Sequence, residues 1–325
     1  MENYNFLNKL LHKISLNNKI VPDITYNIEK LSFQSIDVCS NVYVTGLARA
    51  GTTTFLNGLY NSGEFASLTY LDMPFLLAPN LWAKLTSMNR KINPAKERAH
   101  KDGVLVSAHS PEALEEVFWK LHCDYLEGDR LITHTVDDEV LEELKIYQGL
   151  VCNRYSKKRY LSKNNNMLLR IKSISPRLQN TKFIILFREP NSQALSLLNQ
   201  HQKFQKSDKF TAEYMSYLSH HEFGNTHKPF DFSIQGNKRY DPNLIEYWTD
   251  IWANTYNYAL TLSGHENVKF VCYEKLCTSD AYWSDICDFL DIKSPNPFKQ
   301  SKKENKINSS NNRAQQVYEK LVIKA

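Results

Sequence analysis

The chain has 325 residues, 42% of them hydrophobic and 23% charged, which is enough for one large core or two small ones and excludes a disordered or fibrous chain. The net charge of +5 is equalled by residues 298–325 alone, with seven Lys/Arg and two Glu; the remainder is balanced, which argues against a broad nucleic-acid surface. No run reaches the roughly 18 uninterrupted apolar residues of a membrane span, no basic-then-apolar secretory pattern opens the chain, and the six scattered cysteines form no C-x-x-C pair, so we expect a cytoplasmic protein with buried free thiols and no metal site.

In chain order, residues 2–18 carry Phe6, Leu7, Leu10, Leu11 and Ile14 at helical spacing. Residues 36–45 alternate through Val38, Val42 and Val44 as a strand, Gly46 to Gly51 breaks the pattern, and 52–60 predicts a helix packed by Phe55, Leu56 and Leu59. Residues 63–82 read as an ordered, apolar-lined loop with a short strand near 66–69. Helices are predicted over 111–122, with Pro111 at the first turn, and over 137–158. Residues 182–187 are nearly all apolar, as in a central parallel strand buried on both faces; a helix over 191–204, another over 241–262 and a buried strand over 268–272 follow.

This alternation predicts an α/β fold: a three-layer sandwich whose central parallel sheet is flanked by helices. We expect one domain over 1–325, with insertions at about 83–165 and 206–240 and a basic C-terminal tail over about 298–325. The tail reads either as a solvated terminus or as a basic flap over an anionic ligand.

Gly46 and Gly51 occupy the two glycine positions of G-x-x-x-x-G-K-[ST], but the lysine position holds Thr52, and Thr53 and Thr54 follow. The backbone logic of a P-loop NTPase-like turn survives this change: successive N–H groups at a helix start converge on an anion, and three hydroxyls add donors. Arg49 supplies a planar cation from a different point of the loop. The site therefore reads as one for a phosphate with an attached anionic group rather than a magnesium-bound triphosphate. A second candidate is Arg188, after the buried strand 182–187, with Ser196 eight residues on; an arginine at the carboxyl end of a parallel strand stands where open α/β sheets bind ligands.

Together these motifs resemble the sulfotransferase superfamily that uses 3′-phosphoadenylyl sulfate (PAPS). Arg49-Ala50-Gly51-Thr52-Thr53 is similar to its 5′-phosphosulfate loop, with Ala50 in place of the commoner Ser, and Arg188 with Ser196 is similar to its 3′-phosphate site. Residues 271–276 and 286–290 look like its late strand and helix, and residues 67–75 and 100–103 look like a bacterial subgroup with an Arg-type loop. The resemblance implies PAPS as a small-molecule nucleotide donor, a hydroxyl acceptor such as a glycan, and no required metal. It implies that Arg49 to Thr54 bind the 5′-phosphosulfate and that Arg188 and Ser196 bind the 3′-phosphate. For the general base, Asp72 is the first choice, 23 residues after Arg49, and His100 with Asp102 the second; Lys163, Asn164 and His201 are weaker cleft candidates. The alternatives are a P-loop kinase or NTPase, which would need the absent lysine, and a non-catalytic anion- or glycan-binding protein on the same fold.

Overall fold

The computed structural model describes residues 6–31, 38–86, 96–97, 105–232, 241–293, 298 and 312–325. Its centre is a five-stranded parallel sheet of β1 (Asn41–Thr45), β2 (Phe65–Ala66), β3 (Arg159–Lys163), β4 (Thr181–Phe187) and β5 (Val268–Cys272), in the spatial order β5-β4-β1-β3-β2. β1 is flanked by β4, with Val44 opposite Ile184, and by β3, with Val44 opposite Lys163.

Side chains alternate across the strands, and both faces are covered. On one face Val42, Val44, Ile184, Leu186 and Val271 pack against Phe55, Leu56 and Leu59 of α1 (Thr52–Tyr60) and against Trp283 and Ile286 of the helix Asp280–Phe289. On the other, Tyr43, Phe183, Ile185 and Phe187 join a core with Tyr147 of α2 (Asp138–Tyr155), Ala194 of α3 (Pro190–Gln205) and Trp252 and Tyr256 of α4 (Ile245–Ala259). Burial on both faces is why these strands are continuous apolar runs. The expected three-layer α/β sandwich is therefore present, and its strand order reverses beside β1, where open sheets of this kind form a ligand crevice.

Three sequence expectations change. The stretch 83–165, expected as an insertion, supplies β3, a strand of the main sheet. The helix expected from Pro111 starts at Glu116, because Pro111 bridges to Thr69 and the Glu112 N–H donates to the Leu68 carbonyl, holding these residues extended. The end of the tail is a docked helix, α5 (Asn312–Lys324), rather than a solvated terminus: Ala314, Val317 and Leu321 are buried, and Arg313 reaches Asp250 at 3.3 Å. All six cysteines are free; Cys152, Cys272 and Cys287 are buried as expected, whereas Cys39 is exposed. Among the described residues no helix is long and apolar enough to cross a membrane.

Candidate active site

β1 ends at Thr45, and the chain turns through Gly46 to Gly51 before entering α1. The turn requires glycine twice. Gly46 has φ 141° and a Cβ there would strike the Leu186 carbonyl of β4; Gly51 has φ 89° and a Cβ there would strike the Tyr273 ring. Arg49 adopts φ 68°, a left-handed conformation that costs a side-chain-bearing residue about 1–2 kcal/mol. Gly51 offers no side-chain cap to α1, and the start of a helix carries the positive end of its dipole, where an anion is favoured. Ala50 is fully buried beneath the loop, where a small apolar residue fits.

Distant residues hold the loop in this shape. The Gln193 side-chain amide donates to the Leu47 carbonyl at 3.1 Å and the Ala48 carbonyl at 2.9 Å, and Trp252 Nε1 donates to Gln193 Oε1 at 2.9 Å. The Tyr256 hydroxyl accepts from the Leu47 amide at 3.3 Å and donates to the Leu186 carbonyl at 2.7 Å. At about 1 kcal/mol each, these buried bonds outweigh the strain at Arg49. Neither Gln193, Trp252 nor Tyr256 carries a signal in the sequence, since each acts across more than fifty residues.

The second candidate pair joins the first. Arg49 Nε donates to Ser196 Oγ at 3.0 Å, which leaves the hydroxyl proton of Ser196 to give to a phosphate. The Arg188 guanidinium lies 5.4 Å from the centre of the Tyr273 ring, the same ring that closes on Gly51, and 3.9 Å from a carboxylate oxygen of Glu274. Glu274 also accepts from the Glu189 amide at 2.9 Å, which fixes the turn after β4. Arg49 thus joins the loop to Ser196, and the Tyr273 ring lies near both Gly51 and Arg188, after the carboxyl ends of β1, β4 and β5. Tyr273 and Glu274, quoted earlier only for the late strand, are parts of this site that the sequence reading did not single out.

Asp72 does not share that site. It is fully buried, and its Oδ2 accepts from the Thr69 amide at 2.8 Å and the Tyr155 hydroxyl at 2.5 Å, in a capping box on the short helix Tyr70–Asp72. Burial pushes its carboxyl above the ordinary carboxylate range, against the lowering pull of Tyr155, Thr69 and Arg154. A raised carboxyl favours the fold most below the unfolded carboxylate value, and that contribution is lost as pH rises through the folded value. Asp72→Asn is accordingly expected to flatten the fall in stability on raising pH through the acid range, read by denaturant titration. A catalytic base is worth about 10²- to 10⁴-fold; as a cap, Asp72 leaves turnover of the asparagine variant within about tenfold of wild type.

His100 and Asp102 lie outside the described residues. His201 is buried, accepts from the Gly224 amide at 3.2 Å and packs against His227 and Trp248, with burial pulling its pKa down; it is a core histidine. Asn164 is likewise buried, donating to Glu116 at 2.6 Å. Lys163, at the end of β3, faces Glu112 at 3.8 Å beside the loop.

No family model matches the chain, and no curated protein does. Solved structures similar to it include the sulfotransferase STF1 from Mycobacterium tuberculosis H37Rv, at 12% identity over 96% of this chain and 80% of that one, with a TM-score of 0.44. The sulfotransferase STF9 from Mycobacterium avium matches at 12% over 98% and 78%, with a TM-score of 0.44. A sulfotransferase from Alicyclobacillus acidocaldarius matches at 12% over 87% and 92%, with a TM-score of 0.38. At such identities and TM-scores the likeness by itself assigns neither a substrate nor a reaction to this chain.

Proposed function

We propose that this protein is a sulfotransferase that moves the sulfuryl group of PAPS to an acceptor hydroxyl, which we take to be on a carbohydrate or glycoconjugate. The observation that carries this reading is the shared Tyr273 ring: Gly51 of the anion-binding turn and the Arg188 guanidinium both contact it, while Arg49 of the same turn reaches Ser196. Two anion-binding elements so placed suit a nucleotide with phosphates at both ends. The residues present fit that group, because the close turn admits no side chain at Gly51 and the two arginines provide separate planar cations.

PAPS supplies an activated sulfuryl group; the chain's residues bind and orient it. The amides of Gly51 to Thr54 and the Arg49 guanidinium would stabilise charge on the sulfuryl oxygens and on the departing 5′-phosphate. Arg188 and Ser196 would hold the 3′-phosphate and so select this donor. Asn165, Glu112 and Glu222, which cluster around Lys163, offer the hydrogen-bonding groups a polyhydroxyl acceptor needs. Six unpaired thiols support action in a reducing, cytoplasmic setting.

Thermal shift separates this reading from a kinase or NTPase. Adenosine 3′,5′-bisphosphate at about 100 times its Kd is expected to raise Tm by on the order of 5 °C, whereas ATP with magnesium leaves it within 1 °C or so. Stabilisation by ATP with magnesium and none by the bisphosphate would refute the proposal.

A further inference from the structure

With Asp72 enclosed as a cap and His100 and Asp102 outside the described residues, other described side chains come into question as the proton acceptor. One cluster stands beside the loop. Lys163 ends β3 and pairs in register with Val44, two residues before Gly46. Its ammonium is 3.8 Å from Glu112 Oε1, and the two side chains are only 10% and 9% exposed. Glu112 Oε2 accepts from the Tyr70 hydroxyl at 3.0 Å, and Oε1 accepts from the Ala113 amide at 2.9 Å. The Thr69–Pro111 bridge and the Glu112 N–H to the Leu68 carbonyl fasten this carboxylate to the segment that follows β2.

Glu222 approaches Lys163 as well. Its carboxylate accepts from Asn165 Nδ2 at 3.0 Å, and the Asn165 carbonyl accepts from the Thr45 hydroxyl at 3.2 Å, one residue before the loop. Burial alone would push Glu222 up, but His220, Lys163 and the Asn165 bond bring it below the ordinary carboxylate range. Glu222 is thus held toward its charged form.

Building on the sulfotransferase reading, we infer that Glu112 is the general base for the acceptor hydroxyl and that Tyr70 and Lys163 position it. An acceptor oxygen forms the new O–S bond as the S–O bond to the 5′-phosphate breaks. The leaving electron pair stays on that phosphate, and the hydroxyl proton passes to a Glu112 carboxylate oxygen. Neither an oxidant nor a reductant is involved.

The test measures transfer from ³⁵S-labelled PAPS to water, 4-nitrophenol and methyl glycosides of glucose and galactose, together with calorimetric binding of adenosine 3′,5′-bisphosphate. Glu112→Gln is expected to lower turnover at least 100-fold while the bisphosphate Kd stays within threefold; Glu112→Asp is expected to fall between that variant and wild type. Tyr70→Phe is expected to lower kcat several-fold with the KM for PAPS unchanged. Should Glu112→Gln fail to bind the bisphosphate, the aspartate variant decides: reduced turnover with binding intact supports the assignment, and unreduced turnover overturns it. The assignment also fails if Glu112→Gln turns over within threefold of wild type, or if wild type binds the bisphosphate but transfers to none of the probes. Failure of wild type to bind the bisphosphate is a different result, which removes the sulfotransferase reading itself.

Discussion

Arg188→Ala is expected to weaken binding of adenosine 3′,5′-bisphosphate by about 10- to 100-fold and to leave the binding of adenosine 5′-phosphate nearly unchanged. The magnitude follows from charged hydrogen bonds worth about 1.5–3 kcal/mol, and the selectivity follows from position. Arg188 and the glycine turn both lie near the Tyr273 ring but on different segments of the chain, so Arg188 can serve the end of the nucleotide that the turn does not hold. Glu274, one of its partners, is 30% exposed and 3.9 Å away, a long ion pair of the sort that adds little to stability. The unliganded variant is therefore expected to melt within a few degrees of wild type. Lysine at this position keeps the charge but not the planar fork, and is expected to recover only part of the loss. Isothermal titration with both nucleotides checks all of this. An equal loss for the two would show that Arg188 acts on the whole crevice rather than on a 3′-phosphate.

The glycine turn over Gly46 to Gly51 was legible because local strain dictates its sequence. Gly46 and Gly51 meet a carbonyl and a ring where no Cβ fits, and this requirement shows as glycine spacing between an apolar run and a helix. β4 and β5 were legible for a related reason: burial on both faces leaves few polar positions in residues 181–187 and 268–272. β3 was not. Its residues Arg159 to Lys163 read as polar, yet Arg159 spends its charge on Glu64 and on the Leu290 and Asp291 carbonyls, and Lys163 lies against Glu112, contacts made across 51 to 132 residues. Asp72 misled for the same reason. An acidic residue on a loop after a short strand looks available for chemistry; the Thr69 amide makes it a cap, and the Tyr155 hydroxyl, 83 residues away, takes up the same carboxylate oxygen. The docked terminal helix could have been found, since Ala314, Val317 and Leu321 recur at helical spacing behind the basic residues.

Arg49 is the position where stability and chemistry are most sharply opposed. Its φ of 68° is a conformation glycine adopts freely, and its guanidinium is tied to Ser196 across the crevice. Arg49→Ala and Arg49→Gly both remove the cation that would face the sulfuryl group, and loss of one such transition-state contact typically costs about 10²- to 10³-fold in kcat. Both variants also lose the Ser196 bond, worth about 1 kcal/mol. They differ in the backbone: alanine retains the Cβ penalty, whereas glycine relieves about 1–2 kcal/mol of left-handed strain. The expected result is two variants equally depressed in sulfuryl transfer, with the glycine variant melting a few degrees above the alanine one. Were both kcat values near wild type, charge at position 49 would have no part in the reaction. Were the alanine variant the more stable, the strain assigned to this turn would be absent. Measuring kcat and Tm on the same pair separates the two possibilities, because the cation and the backbone twist are removed in different combinations at one residue.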